Sequence, residues 1–222
     1  MVRDWEQNLG TGPEWERFIL EVQALGVGLQ GDCISVFAAF LKELQDWNRS
    51  VRLVSRSDAE TVLWAHFLDS LALVPLIQKE GPLLDVGSGG GFPGIPVKIA
   101  KPSLALHLVE SRRRKANFLR HLVRVLGLKE VWVHQVRLGK GGVQLGHFPL
   151  VVGRAVARPD VWLGLAQSLL AEGGRVFLML GRAQASLELE GSLKQLGWDV
   201  VERKDYKLPY LERWRSILVL GR

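Results

Sequence analysis

Glycines 87, 89, 90 and 91 stand just behind an acidic residue, Asp85, and ahead of Pro93 and Pro96. A cluster of this kind acts through its backbone: with no Cβ atoms in the way, the chain can lie close against a ligand. Glu110, 23 residues beyond Gly87, is spaced to accept hydrogen bonds from both hydroxyls of a ribose. Arg112, Arg113, Arg114 and Lys115 follow at once and open a helix with cations, where the helix dipole disfavours them. Sequences accept such a local penalty for function, here contact with phosphates. Arg120 and Arg124 continue the charge at i, i+4 spacing.

The elements that must position these residues follow from the pattern. The run from Leu83 to Val86 reads as a buried parallel strand. The glycine turn ends it. Proline is tolerated in a helix only in the first turn, so a helix is predicted to start near residues 93–95, its free N–H groups aimed at the turn. Strand, turn and helix make the cofactor end of a Rossmann-like unit. The dinucleotide fingerprint Gly-x-Gly-x-x-Gly fails, because Phe92 fills its third glycine slot, and no Gly-Lys-Ser/Thr follows to form a phosphate loop. Gly87, Gly89 and Gly91 behind Asp85 instead resemble the first motif of S-adenosylmethionine-dependent methyltransferases. That cofactor has no pyrophosphate; the glycines would admit its amino-acid end and ribose.

The 222 residues suit one medium domain with a small extension. No apolar run approaches about 18 residues, so no membrane span is expected. The N-terminus, with Asp4, Glu6, Glu14 and Glu16, lacks a signal pattern. Cys33 is the single cysteine and cannot form an internal disulfide, and no cysteine–histidine spacing suggests a metal. A cytoplasmic monomer without metal is expected. Charge is uneven: residues 1–80 hold 7 basic against 12 acidic side chains, and the remainder 22 against 11. Residues 98–140 alone carry eleven cations and two acids, Glu110 and Glu130. Such a block beside a cofactor turn suggests a polyanionic substrate, most simply nucleic acid.

Helical spacing marks Trp15, Phe18, Ile19 and Val22, then Val36, Phe37, Phe40, Leu41 and Leu44. Gly26, Gly28 and Gly31 separate the two groups, and Asp32 is placed to cap the second. A third helix is predicted after Ser57 or Asp58, with Ser57-x-x-Glu60 as a capping box and Pro75 to bend or end it. Strands are predicted at 83–86, 104–109, 131–136, around 150–152, and at 175–180, 198–201 and 214–220. Helices at 112–126, 160–170 and 183–196 alternate with them. The alternation implies a doubly wound, mostly parallel α/β sheet. Closing on a strand pair with no helix between matches the methyltransferase variant, whose last strand is antiparallel. Residues 1–80 would be an N-terminal helical cap and 81–222 the Rossmann-like domain. The third strand would deliver backbone near an adenine at Arg137-Leu138-Gly139. Phe92 either packs against the cofactor or plugs the core.

From Trp47 onward the chain resembles the bacterial small-subunit ribosomal RNA guanine-N7 methyltransferases, the glucose-inhibited division protein B family. The likeness rests on Trp47-Asn48-Arg49, on His66-Phe67-Leu68-Asp69-Ser70, and on the run from Asp85 to Pro96. It continues through Glu110-Ser111, Lys115, Phe118-Leu119 and Arg154-Ala155-Val156-Ala157. The resemblance implies that Gly87, Phe92, the backbone at Leu138 and Gly139, and Arg154 bind S-adenosylmethionine. It also implies that His66, Asp69 and Arg154 surround the methyl-transfer pocket, and that the partner is ribosomal RNA or the small ribosomal subunit. The chain departs from the family at Arg52-Leu53-Val54, Ala65, Leu138-Gly139, Phe148-Pro149 and Leu180-Gly181. Leu180 stands where the family ends its fifth strand with a lysine, which would leave Arg154 as the principal cation of the pocket.

Guanine N7 carries an exposed lone pair, so in-line transfer of a sulfonium methyl needs alignment and no general base. No acid/base pair is evident, and no residue is singled out as catalytic. Two other readings share these features: a non-catalytic paralogue that binds cofactor or RNA, and a methyltransferase with another substrate.

Overall fold

The structure, a computed structural model, describes residues 10–139, 145–154 and 159–222. Helices α1 (Pro13–Ala24) and α2 (Cys33–Asn48) come first. A third helical stretch opens as α3 (Ala59–Val62), widens into a π-helical turn at Leu63–Leu68, and closes as α4 (Asp69–Leu71). Strands β1 (Leu83–Val86), β2 (Leu106–Val109), β3 (Val131–His134) and β4 (Phe148–Arg154) follow, with α5 (Gly94–Ala100) after β1 and α6 (Arg113–Val125) after β2. Then come α7 (Pro159–Gln167), β5 (Leu170–Gly181), α8 (Leu187–Gln195), β6 (Asp199–Leu208) and β7 (Arg213–Gly221). The seven strands form one sheet in the order β3-β2-β1-β4-β5-β7-β6. Pairs from β3 to β5 are parallel, and β7 runs antiparallel to both β5 and β6. This is the doubly wound sheet with an antiparallel last strand that the strand–helix alternation implied.

Strand alternation divides the core into two. Leu83, Leu106, Leu150, Phe177, Met179 and Ile217 face one side, where α1, α2, the π turn, α5 and α6 contribute Phe18, Phe37, Phe67, Ile95 and Phe118. Leu84, Val151, Val176, Leu178, Leu180 and Leu218 face the other, against Trp162 and Leu163 of α7 and Leu193 of α8. The N-terminal helices thus share a continuous core with the sheet. Among the described residues no helix is long and apolar enough to cross a membrane, and no group of three or more His, Cys, Asp or Glu could hold a metal.

Several boundaries move for local reasons. Asp32 occupies the N-cap of α2, but its side chain makes no capping hydrogen bond. Asp58, and not Ser57, caps α3, accepting from the Thr61 N–H at 2.9 Å. β2 starts at Leu106 because residues 102–104 turn around Lys98, whose buried Nζ donates to the carbonyls of Pro102 and Leu104 at 2.7 Å each. α8 waits for its cap, Ser186, instead of starting at 183. α7 ends at Gln167, and β5 begins at Leu170. β6 runs on to Leu208, well past the predicted 201, because its mixed charges belong to an edge strand with only Tyr206 and Leu208 buried.

Leu180 is the larger correction. It is 2% exposed, within the second core, so the position is packing and not the rim of a pocket. Leu180→Lys would place an unpaired charge among aliphatic side chains, at a cost of about 3 kcal/mol or more. Urea denaturation should show a midpoint far below wild type; an unchanged midpoint would mean that the strand end is wet.

Candidate active site

β1 ends in a turn held from below. The N–H groups of Gly87 and Ser88 both donate to the Val109 carbonyl, at 2.9 and 3.0 Å, and Ser88 Oγ accepts from the Val109 N–H at 3.1 Å. Gly87 (φ 82°), Gly89 (φ 55°) and Gly91 (φ 92°) need the left-handed region. They differ in what surrounds them. A Cβ at Gly87 would meet nothing within 4 Å, and one at Gly89 only the Gly87 carbonyl at 3.7 Å. A Cβ at Gly91 would stand 3.0 Å from Ile95 and 3.3 Å from Phe40. Gly87 and Gly89 therefore border open space, whereas Gly91 is a packing glycine, contrary to the expectation that all three admit a ligand.

Glu110, 7% exposed, accepts from the Gly89 N–H at 3.2 Å and from the Arg112 N–H at 2.7 Å. It ties the glycine turn to the start of α6. Asp85 is 1% exposed; its Oδ2 accepts from the Gly94 N–H at 3.0 Å, while Oδ1 is buried with no hydrogen-bond partner. Burial lifts its carboxyl to about 7, against the opposing pull of the Gly94 N–H and the Arg154 charge.

Beside the turn lies an ionic cluster. Asp69, 2% exposed on α4, accepts on Oδ1 from the Tyr206 hydroxyl at 2.7 Å and from Arg215 Nε at 3.0 Å. Its Oδ2 accepts from Arg154 Nη1 at 3.3 Å and Arg215 Nη2 at 3.4 Å. One carboxylate thus joins α4, β4, β6 and β7. Burial lowers the Arg215 guanidinium, but Asp69 outweighs it and the net direction is up. Tyr206 is raised well above its ordinary value by burial and by Asp69. Arg154 also donates to the Ala65 carbonyl at 3.3 Å and approaches His66 Nδ1 at 3.1 Å. The contact makes Nδ1 the acceptor and leaves the ring proton on Nε2. Burial first, and the Arg154 charge second, depress His66 to about 3, so its ring is neutral at physiological pH.

The π-helical turn presents His66 to Phe92, ring centroids 4.8 Å apart and 24° between planes. Phe40 stacks on Phe92 at 5.2 Å, and Arg154 Cζ lies 5.0 Å from the Phe92 centroid. Phe92 is 4% exposed, its ring committed to the core and to these partners.

His66, Asp69, Phe92 and Arg154 are therefore brought together, with Glu110 and the open glycines adjoining them through the turn. Leu138 and Gly139 lie beyond β3, which stops at His134; Leu138 leans on the second core and Gly139 is exposed. The His134 carbonyl accepts from the Glu110 N–H at 3.1 Å, so this segment leaves β3 beside Glu110. Arg112, Arg113 and Arg114 are exposed and Lys115 half-buried, and among the described residues none of their side-chain cations meets a carboxylate within 4 Å. Ala155, Val156 and Ala157 fall outside the described residues. Asn48 proves structural: its side-chain oxygen accepts from the N–H groups of Leu53 and Val54 at 2.8 and 3.0 Å. At Ala65 the backbone carbonyl, not a side chain, reaches Arg154.

Arg215, Tyr206 and Ser88 escape the motif-based reading of the sequence. Arg215 also corrects the expectation that Arg154 is the principal cation of the pocket. Its signal is a charge in phase with the core residues Ile217 and Val219 on a strand.

A glycine turn after the first of seven strands, with the sixth and seventh exchanged in sheet order, defines the class: a Rossmann-like S-adenosylmethionine-dependent methyltransferase. Solved structures agree on the fold. A ribosomal protein L11 methylase from Lactobacillus delbrueckii subsp. bulgaricus aligns with a TM-score of 0.56 at 17% identity, over 71% of this chain and 78% of its own. The glycopeptide N-methyltransferase MtfA, complexed with sinefungin, aligns with a TM-score of 0.59 at 11% identity, over 71% and 87%. The sequence profile of rRNA small subunit methyltransferase G matches residues 34–215. The ribosomal RNA small subunit methyltransferase G of Myxococcus xanthus is 34% identical over 90% of this chain and 93% of its own length. That of Desulfitobacterium hafniense is 37% identical over 88% and 83%. The chain belongs to the rRNA small subunit methyltransferase G family.

Removing Asp69 leaves two partly buried guanidiniums and a buried hydroxyl without their shared acceptor. Asp69→Ala should lower stability by about 3 kcal/mol, the low end for breaking a buried pair, since both arginines keep some solvent. Asp69→Asn, which retains an acceptor, should cost less. Urea titration of the three proteins checks the order; equal midpoints would show that the cluster does not hold the elements together.

Proposed function

We propose that the chain transfers the methyl group of S-adenosylmethionine to N7 of a guanine in 16S ribosomal RNA, working as a monomer on small ribosomal subunits in the cytoplasm. The observation that carries the reading is the state of His66 and Asp69, the imidazole and the carboxylate gathered around Arg154. Asp69 gives both its oxygens to two arginines and a tyrosine, while burial and the Arg154 charge hold His66 near 3 with its Nδ1 turned to that guanidinium, so the imidazole is a poor proton acceptor near neutral pH. An acceptor that must lose a proton on transfer is poorly served here; a nitrogen lone pair is well served.

When bound, the cofactor would supply a sulfonium methyl whose carbon the guanine N7 lone pair attacks in line, the C–S bond breaking to release S-adenosylhomocysteine as a neutral thioether. The chain supplies alignment. Gly87 and Gly89 give the open backbone, Glu110 the acceptor for ribose hydroxyls, and the segment at Leu138 and Gly139 the backbone beside the adenine. The orphaned Asp85 Oδ1 fits a cofactor that brings an ammonium group, because an approaching cation stabilises the ionised carboxylate. His66, backed by Phe92, offers its outer ring face to a planar base, and Arg154 places a fixed charge where electron density shifts in the guanine ring. Arg112, Arg113, Arg114 and Lys115 meet phosphates.

The direct test is methyl incorporation into small subunits and naked 16S RNA, with the product mapped by strand cleavage at N7-methylguanine. Incorporation at guanine is expected and should vanish in Gly89→Val, where a branched side chain must adopt a left-handed backbone at the ligand face. If wild type binds cofactor and transfers nothing, the non-catalytic reading replaces this one.

Asp85 gives a pH signature. Below about 7 the carboxyl is protonated and must release its proton to meet an ammonium, so affinity for S-adenosylhomocysteine should fall with decreasing pH, approaching tenfold per unit. Calorimetry from pH 8 to 5.5 should show this slope in wild type and a flat profile in Asp85→Asn. A flat wild-type profile removes Asp85 from the cofactor.

Exchanging Arg113 and Arg114 for Gln should weaken RNA binding and reduce the slope of log affinity against log salt by about 0.7–0.9 for each phosphate no longer neutralised. An unchanged slope means that these side chains are solvated and touch no phosphate.

A further inference from the structure

We propose that Arg182 and Trp214 form a stacking platform for a nucleotide that flanks the target guanine, on the far side of the pocket from α6. The inference rests on the reading of the chain as an RNA methyltransferase and adds to it a second RNA contact, built from residues unrelated to the cofactor turn.

Trp214 lies at the start of β7 and is 47% exposed. It is not a stray apolar side chain. Arg182 Cζ sits 4.6 Å from its ring centroid, and the Arg182 N–H donates to the Trp214 carbonyl at 3.2 Å. Side chain and backbone together fix an indole and a guanidinium plane at one rim, the arrangement that single-stranded nucleic acid uses for base stacking with little sequence preference. Arg213 is exposed beside it. The nearby acids are already matched: Asp205 accepts from Ser216 Oγ at 2.5 Å and from Arg203 Nε at 3.2 Å, and Glu212 pairs with Lys207. Among the described residues neither Arg182 nor Arg213 meets a carboxylate within 4 Å. The rim is therefore cationic and aromatic, which suits a polyanion bearing planar rings and suits an acidic or apolar protein surface less well.

Its position ties it to the pocket. Gly181 is paired with Arg215, so Trp214 and Arg182 continue the same register past the C-terminal end of β5. Arg215, one residue on, points to the opposite face and holds Asp69. In the sheet order, the platform at β5 and β7 and the basic start of α6 after β2 bracket the central strands β1 and β4. With strands about 4.8 Å apart, the offset along the sheet is roughly 19 Å at the same edge, and the two sites stand on opposite faces of it, α6 on the first core and Trp214 in phase with Leu218 and Leu220 of the second. A short single-stranded segment can cross that span with its central base at the turn.

The test measures binding of a fluorescein-labelled single-stranded RNA dodecamer and of intact small subunits, by anisotropy and by filter retention, with methyl transfer followed separately. Trp214→Ala should weaken binding of the dodecamer about tenfold with an unchanged salt slope, because the substitution removes a stacked ring and no charge. Trp214→Phe should recover most of the affinity, and Arg182→Gln should lower the salt slope by about 0.7. Cofactor affinity should match wild type in all three, and KM for subunits should rise in Trp214→Ala with kcat retained. Wild-type affinity of Trp214→Ala for the dodecamer overturns the platform. So does a loss confined to intact subunits, which would assign the rim to a ribosomal protein. If wild type transfers no methyl group but the dodecamer still loses affinity in Trp214→Ala and regains it in Trp214→Phe, the enzymatic reading fails and the RNA platform stands.

Discussion

One buried carboxylate organises the ion cluster beside the glycine turn. Asp69 sits on a short helix yet bonds to residues of three strands, through partners 85, 137 and 146 positions away in the chain. Charge balance explains why the arrangement persists. Arg154 and Arg215 would repel each other unshared, and Asp69 alone would be an uncompensated buried anion; together they leave one net positive charge beside the glycine turn. Arg154 then does two further things from its fixed position: it donates toward His66 and lies over the ring of Phe92. The histidine is neutral because it is buried next to that charge. The placement of the His66 ring against Phe92 and the neutrality of that ring therefore share one cause.

The cofactor side depends on backbone geometry. Ser88 and the Val109 carbonyl anchor the turn to β2, Glu110 holds its outer N–H, and Asp85 fastens α5 underneath through Gly94. Gly94 is tight enough that a Cβ there would stand 2.8 Å from Asp85 Oδ2. Gly153, immediately before Arg154, is equally confined: a Cβ there would run into the ring of Trp162. The turn is thus preorganised from both sides, which is what a reaction governed by alignment requires.

Much of this frame was legible in the residues. The apolar run, the odd-numbered glycines and Glu110 are local signals within 28 residues, and the alternation of strand and helix implies a doubly wound, mostly parallel sheet. Long-range pairings were less so. Tyr206 lies on a strand whose charges obscure its period, and Arg215 looks like a surface cation until its phase with Ile217 is noticed. Leu180 misleads in the opposite direction: comparison with a family lysine suggests a missing pocket cation, whereas its alternation with Leu178 on β5 assigns it to the second core. Where a residue's role comes from strand phase, period outranks motif position. Where it comes from a shared ion, as at Asp69, neither reveals it.

On the proposed mechanism, methyl transfer proceeds with no group of the protein taking a proton from the acceptor. Single-turnover transfer to small subunits, at saturating S-adenosylmethionine, measures this directly across pH 6 to 8.5. With His66 neutral throughout and Asp85 already paired with the ammonium at saturating cofactor, the rate should be flat. A rate that climbs tenfold per pH unit and then levels off would reveal a titrating base in the pocket and contradict the mechanism.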